Sequence, residues 1–297
     1  MNLKLLVLVA ATATIISCSD DHAKFDASGS FETDETVISS EATGVIKQLN
    51  LSEGQVLQAG QPVGAVDSTQ LVLKKKQLRE QINAILSSKP DINAQTAALK
   101  EQLRAAEREH QRYANLLQAG AGTQKQLDDI QSQIDVLKRQ IAAQESVLDI
   151  SSRNISKQTA PLEVQMEEVD DMISKCSIIN PVNGTVLTKF AEVSEVTSPG
   201  KPLYKIADVT TLYLRAYITG TQLSQVKLNQ SVKVLVDDGA DKYREYTGVI
   251  SWISSKAEFT PKTIQTKEER ANLVYPVKVK VTNDGSLKIG MYGEMKF

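Results

Sequence analysis

Gly44-Val45-Ile46, Val56, Gly60-Gln61-Pro62-Val63 and Val66 return later in the chain as Gly184-Thr185-Val186, Val196, Gly200-Lys201-Pro202-Leu203 and Ile206. Every position matches at an offset of 140 residues (184 against 44, 200 against 60, 206 against 66). Each copy reads as short strands punctuated by Gly and Gly-x-Pro turns. Neither copy is long enough to bury a core by itself. The two are therefore expected to combine as one small β-sandwich, residues 37–67 supplying one half and 177–207 the other. Everything between must leave that sandwich and come back to it. Such a chain is built for reach, not for chemistry.

The intervening residues 68–176 carry a helical signal. Leu71, Leu78, Ile82, Ile85, Ile92, Leu99, Leu103, Ala106, Tyr113 and Leu117 recur at alternating spacings of four and three, with Lys75, Lys89, Thr96 and His110 filling the remaining seam positions. Leu127, Ile130, Ile134, Leu137, Ile141, Leu148, Ile155, Leu162, Met166, Val169, Ile173 and Cys176 continue the rule, with Gln144, Ser151 and Gln158 as its polar members. A period of 3.5 residues held this long marks a coiled-coil seam. Between residues 65 and 183 the only glycines are Gly120 and Gly122. Gly120-Ala121-Gly122 before Thr123 reads as a helix stop, a tight turn and a new N-cap. Arms of similar length, 68–118 and 123–176, then form an antiparallel hairpin. Pro90 and Pro161 are expected to split each arm into two helices, because an interior proline removes a hydrogen bond. The apolar register survives both, which favours kinked continuation.

Isolated histidines, His22 and His110, offer no metal site, and His110 reads as a packed seam residue. Cys176 falls on an apolar helix position and reads as a buried structural thiol. Lys74-Lys75-Lys76 reads as a solvated helix base. From about residue 208 the pattern changes to period two: Leu212, Leu214, Ala216 and Ile218, then Val232, Val234 and Val236, then Val277, Val279 and Val281. Five to seven short antiparallel strands over 208–297 make a small β-barrel. The polar stretch Lys262 to Arg270 interrupts it as a long loop or short helix. Ten of the fourteen aromatic residues lie at Tyr204 or beyond.

Residues 1–17 have the form of a secretory signal, with Lys4, an apolar run from Leu5 to Ala11 and Ile15-Ile16-Ser17 before Cys18. That run is too short for a stable transmembrane span. Ile-Ile-Ser-Cys resembles the bacterial lipobox, which implies acylation of Cys18 and attachment to a membrane through lipid. The plainer reading is an ordinary signal peptide with an incidental Cys. Residues 18–36 are small and polar and read as a tether from lipid to folded body. The formal charge of −2 becomes −3 once Lys4 is removed with the signal, and no basic stripe exists to hold nucleic acid. No Gly-x-Ser-x-Gly elbow, no Cys/His pair in a plausible fold context and no P-loop is present, so no catalytic residue, cofactor site or metal site is assigned.

The two half-motifs resemble the halves of a biotinyl/lipoyl domain, although the hairpin that would display a carrier lysine is replaced by the helical insert. A split lipoyl-like sandwich, a long coiled-coil hairpin between its halves and a following barrel together resemble the periplasmic adaptor, or HlyD-like membrane fusion protein, family of bacterial exporters. The resemblance implies an elongated α+β molecule that is not an enzyme. Trp252-Ile253-Ser254, Ala257-Glu258-Phe259-Thr260-Pro261-Lys262, Gln265-Thr266, Glu268-Glu269-Arg270 and Leu273-Val274-Tyr275 are similar to the subfamily serving ABC-2-type permeases.

Adaptors that dock on TolC-like channels carry an Arg, a Leu and a Ser or Thr at the hairpin tip. Arg112, Leu116 and Thr123 match that spacing across the Gly-Ala-Gly turn. The alternative is structural: Leu116 packs within the hairpin, Thr123 caps the second arm and Arg112 is a solvated charge. By resemblance the partners are an ABC permease/ATPase complex, an outer-membrane channel and further copies in a ring, hexameric in the family. The implied location is the periplasm of a Gram-negative bacterium, at the inner membrane. Ser19-Asp20-Asp21 also resembles a surface-export signal of some lipoproteins, which would defeat that geometry. The rival reading is a lipid-anchored coiled-coil spacer of the envelope without export function.

Overall fold

The computed structural model describes residues 25–239, 242–259 and 273–297. The signal sequence, Cys18, Ser19-Asp20-Asp21 and the stretch Lys262 to Arg270 lie outside them.

The duplicated half-motif builds the sandwich. Strands β2 (Glu35–Ser39), β3 (Gly44–Leu49), β4 (Val56–Leu57) and β5 (Pro62–Val66) come from the first half. Strands β6 (Ser177–Ile179), β7 (Gly184–Lys189), β8 (Val196–Thr197) and β9 (Pro202–Ala207) come from the second. They form two four-stranded sheets, β2-β9-β7-β4 and β6-β5-β3-β8, so each sheet draws strands from both halves. The 140-residue offset reappears in the hydrogen bonds. Gly60 N–H donates to Asn180 O and Gly200 N–H to Ser40 O, at 2.7 and 2.9 Å. Gly54 N–H donates to Val186 O and Ser194 N–H to Ile46 O, both at 2.8 Å. Even the backbone twist repeats, for Gly54 has φ 83° and its counterpart Ser194 has φ 76°. A non-glycine residue in that left-handed region costs roughly 1–2 kcal/mol, which the surrounding pairings hold in place.

Ile46, Leu57, Val63, Val186, Leu203, Tyr204 and Ile206 are essentially inaccessible and form this core. Asn180 is a buried polar residue among them. Asn180 accepts from the Tyr204 hydroxyl at 3.0 Å and donates to Gln58 O at 2.9 Å and Val182 O at 2.5 Å. Its hydrogen-bonding capacity is met, as a buried amide requires.

Three helices make the insert: α1 (Thr69–Leu86), α2 (Ile92–Gln118) and α3 (Gln124–Lys175). At 1.5 Å per residue, the 52 residues of α3 span roughly 78 Å. The buried residues of the hairpin are Leu78, Ile82, Thr96 and Ala106 facing Ile134, Leu137, Ile141, Leu148, Ile155, Thr159 and Val169. All but Thr159 are seam positions read from the period. Gln158 is exposed and Thr159 takes the interior place, its hydroxyl donating to Ser156 O at 3.0 Å. The seam thus drifts by one residue where its polar members cluster.

The two prolines behave differently. Pro90 does divide the first arm, whereas Pro161 lies inside α3 without ending it, so the second arm is one helix and not two. The flanking residues explain the contrast. Before Pro90, Ser87 and Ser88 bond the carbonyls of Ala84 and Ile85, and after it Asp91 accepts from Ala94 N–H at 3.0 Å as a new N-cap. A helix restarted with Pro161 at its first position would have Ala160 as its N-cap, a poor one. The pairing register is the same on both sides of the Pro90 break. Lys75–Asp170, Lys100–Glu145 and Glu107–Lys138 step 25 and then 7 residues along the first arm, and the same numbers back along α3.

The third unit is a six-stranded antiparallel barrel. Its strands are β1 (Ala27–Glu32), β10 (Thr211–Thr219), β11 (Ser231–Asp237), β12 (Tyr243–Ile253), β14 (Leu273–Thr282) and β15 (Tyr292–Lys296). They run in the order β10-β1-β15-β11-β12-β14, and β10–β14 pairing closes the circle; the short β13 (Glu258–Phe259) adds to β14. Leu212, Leu214, Ala216, Ile218, Val234, Ile250, Val277, Val279, Val281 and Met295 fill the interior. Strand β1 corrects the tether reading of 18–36. Residues 27–32 are a barrel strand, with Phe31 only 1% exposed. The small residues there serve close packing: a Cβ on Gly29 would lie 1.8 Å from Arg215 O across the β1–β10 pair. Chain order is therefore barrel, sandwich, hairpin, sandwich, barrel.

Candidate functional site

The hairpin tip is built from backbone outward. Helix α2 ends in a Schellman closure, in which Ala121 N–H donates to Leu116 O at 2.9 Å and Gly120 N–H to Leu117 O at 3.0 Å. Gly120 takes φ 72°, the left-handed residue this closure needs. Thr123 then starts α3 with a reciprocal capping box: its hydroxyl accepts from Gln126 N–H, and Gln126 Oε1 accepts from Thr123 N–H at 3.0 Å. Thr123-x-x-Gln126 is a sequence signature of that box. Helical ends satisfied in this way keep the turn short and its shape defined.

The three tip residues have distinct surroundings. Arg112 pairs with Glu109 one turn earlier, and its guanidinium lies 5.5 Å from the centre of the Tyr113 ring. Its side chain remains about two-thirds exposed, so the pair contributes little stability. Leu116 is 38% exposed, so part of an apolar side chain is presented to solvent beside the turn. Thr123 is exposed, with its hydroxyl committed to the Gln126 cap. Glu109 and Tyr113 complete the tip; from the sequence Tyr113 reads only as a seam residue, and Glu109 is not singled out. The spacing of Glu109, three residues before Arg112, was the available signal for the ion pair.

Behind the tip the arms are tied by Lys100–Glu145 at 2.8 Å and Glu107–Lys138 at 3.9 Å. A second row on α3 is uncharged. Gln140, Ala143 and Val147, with Leu99 of α2, line a shallow groove. Val136, Val147 and Ile150 along this row are each about half exposed or more. At the base of the hairpin Cys176 is buried, and burial, with Asp67 nearby, pushes its thiol pKa up. It is an inert thiol by that environment. His110 is partly buried on the seam.

Among the described residues, no group of His, Cys, Asp and Glu is arranged to hold a metal ion. Among them, too, no helix is long and apolar enough to cross a membrane.

No protein-family model matches the chain. Over 122 residues it is 35% identical to UPF0194 membrane protein YbhG of Salmonella gallinarum, a stretch covering 41% of this chain and 36% of that one. The matched stretch thus spans little more than a third of the curated relatives' length. In three dimensions 91% of the chain superposes on 76% of MacA from Actinobacillus actinomycetemcomitans, with a TM-score of 0.53 and 20% identity. The same share superposes on 96% of the membrane fusion protein Spr0693 from Streptococcus pneumoniae R6, with a TM-score of 0.51 and 17% identity. The chain shares its fold with these proteins, none of which is named for a reaction.

Proposed function

We propose that the chain is a periplasmic adaptor of a bacterial export assembly, holding an inner-membrane transporter and an outer-membrane channel in register. The observation that carries this reading is a hairpin with one 52-residue helix, mounted on a split sandwich and ending in a capped turn that exposes Leu116. An enzyme has no use for such reach, whereas a bridge across an aqueous compartment requires it. The likeness to membrane fusion proteins supports the same reading.

In finer detail, the transporter is an ABC permease/ATPase complex of the ABC-2 type, a proposal resting on the sequence resemblance between Trp252 and Tyr275. The anchor is a lipid on Cys18, and copies of the chain assemble as a ring, six in number by analogy with the family. Arg112, Leu116 and Thr123 present the tip to a TolC-like channel. Leu116 supplies the apolar contact there, and Arg112 a guanidinium for carbonyl or carboxylate groups.

The test is in-cell photocrosslinking from probes at positions 116 and 123, with identification of what is captured. An outer-membrane channel protein is the expected product, and Leu116→Asp is expected to abolish both capture and export. Capture of nothing, or only of further copies of this chain, would leave a lipid-anchored spacer and remove the tip assignment.

A further inference from the structure

Barrel and sandwich are joined by two short connections, Thr33–Asp34 and Asp208–Thr210. They are cross-tied by the Thr33 hydroxyl, which donates to Asp208 O at 3.0 Å. Beside them lies a crevice of about 630 Å³, within the size range of small-molecule sites and at the kind of inter-unit position where those occur. Its apolar wall comes from both units: Leu187 of the sandwich, Val209 of the connection, and Leu212, Leu287 and Ile289 of the barrel. One partly buried polar group of the lining, Asn283, is already satisfied. Asn283 donates to Val209 O at 2.8 Å and Leu287 O at 3.1 Å, and its Oδ1 accepts from Gly285 and Leu287 N–H. Asn283 therefore makes no polar demand on an occupant.

Two charged side chains stand on the crevice wall, and their situations differ. Asp284 is turned to other partners: it accepts from Ser286 N–H at 2.9 Å and from the Tyr246 hydroxyl at 3.4 Å, and lies 3.9 Å from the Arg244 guanidinium. Those groups line a separate, smaller cavity on the far side of the loop. Lys288 is exposed to solvent. Its ammonium donates to Gly285 O at 2.9 Å, in the crevice wall, and among the described residues it forms no ion pair.

We infer that this crevice is a binding site for a single-chain amphiphile with one anionic headgroup, its chain along the Leu187–Val209–Ile289 wall and its headgroup at Lys288. An anionic headgroup gains a contact with the exposed Lys288 ammonium that a neutral apolar molecule does not, and a cation would be repelled by it. A polyanion would find no second free cation among the residues that line the crevice.

The test uses the full chain and a photoactivatable diazirine analogue of decanoic acid, with an analogue of decanol as the neutral control. Adducts are expected on peptides bearing Val209, Leu287 or Ile289, and decanoate should displace the acid probe better than decanol does. Lys288→Gln should reduce acid labelling roughly tenfold, the worth of one charge-assisted hydrogen bond, and leave alcohol labelling unchanged. Ile289→Asp, at a position 38% exposed and so tolerant of substitution, should reduce labelling by both probes. An unchanged thermal melt establishes that each variant is folded. Labelling that ignores both substitutions, or that concentrates on the hairpin, would overturn the site. Equal displacement by decanoate and decanol would overturn the anionic headgroup. None of these outcomes depends on channel capture by the tip, so this site and the adaptor reading stand or fall separately.

Discussion

Replacing Gly120 and Gly122 separates two ways in which a glycine shapes the hairpin tip. At Gly120 an added Cβ would meet nothing within 4 Å, but φ is 72°. The cost of Gly120→Ala is then purely conformational. Roughly 1–2 kcal/mol of left-handed strain is offset by about 0.4–1 kcal/mol from the stiffer unfolded chain. The net is about 1 kcal/mol, and Gly120→Asn should cost less because Asn tolerates this region. At Gly122 the added Cβ would lie 3.0 Å from Leu117 N and 3.3 Å from Leu116 C. These are backbone atoms and cannot swing aside, so the turn itself must give by a few tenths of an ångström. That shift weakens the Ala121-to-Leu116 and Gly120-to-Leu117 bonds, each contributing about 0.5–1.5 kcal/mol. Gly122→Ala therefore costs about 2 kcal/mol and also moves Leu116 relative to Thr123. Amide hydrogen exchange at Ala121 measures both effects directly. Its exchange should accelerate roughly fivefold in Gly120→Ala and more than tenfold in Gly122→Ala. Channel capture from position 116 should fall only in Gly122→Ala. Equal effects of Ala and Asn at position 120, or a larger effect at 120 than at 122, would refute this division between strain and collision.

Other consequences follow from the sandwich and the base of the hairpin. Tyr204→Phe leaves Asn180 Oδ1 buried without its donor, and should destabilise the sandwich by about 1–3 kcal/mol. Exchange at the Gly60 amide, which donates to Asn180 O, is the readout. Ser194→Gly relieves a left-handed serine and should stabilise the same unit by roughly 0.5–1 kcal/mol, measured by denaturant unfolding. Asp67 has its pKa lowered from 3.8 to about 2, first by the Thr69 hydroxyl, then by Thr69 N–H and Lys47. A depressed carboxylate stabilises the fold above its unfolded value and loses that contribution as pH falls through the folded one. The start of α1 should accordingly loosen between pH 4 and pH 2, and Asp67→Asn should remove that pH dependence from the exchange of the Thr69 amide.

The legibility of this chain was uneven for physical reasons. The 140-residue repeat could be read because each half-motif needs the same turns, and the matched hydrogen bonds of Gly60 with Asn180 and Gly200 with Ser40 show why. The seam was readable because helical contacts recur at short spacing. The tip was readable because Gly120 and Thr123 meet local backbone needs. Local sequence alone carries those signals, whatever the rest of the molecule does.

What only the tertiary structure decided lies where partners are far apart in the chain. Residues 27–32 look like a small, polar tether, yet they form a strand because Ser28 pairs with Tyr217 and Glu294, close to two hundred residues away or more. Gly29 belongs there because of a carbonyl on Arg215 that no local reading contains. Pro161 stays within a helix because the residue before it makes a poor cap and α1 packs along α3. Pro90 breaks one because Ser87, Ser88 and Asp91 satisfy both loose ends. Thr159 displaces Gln158 from the interior because its short hydroxyl can return to its own helix backbone, which a buried glutamine amide cannot do as compactly. The crevice beside Lys288 exists only once barrel and sandwich are set side by side. The sequence by itself therefore determined the repeating turns, the helical seam and the capped tip. The closure of the barrel and the space between the units came from contacts across the whole chain, whose energy depends on which distant atoms meet.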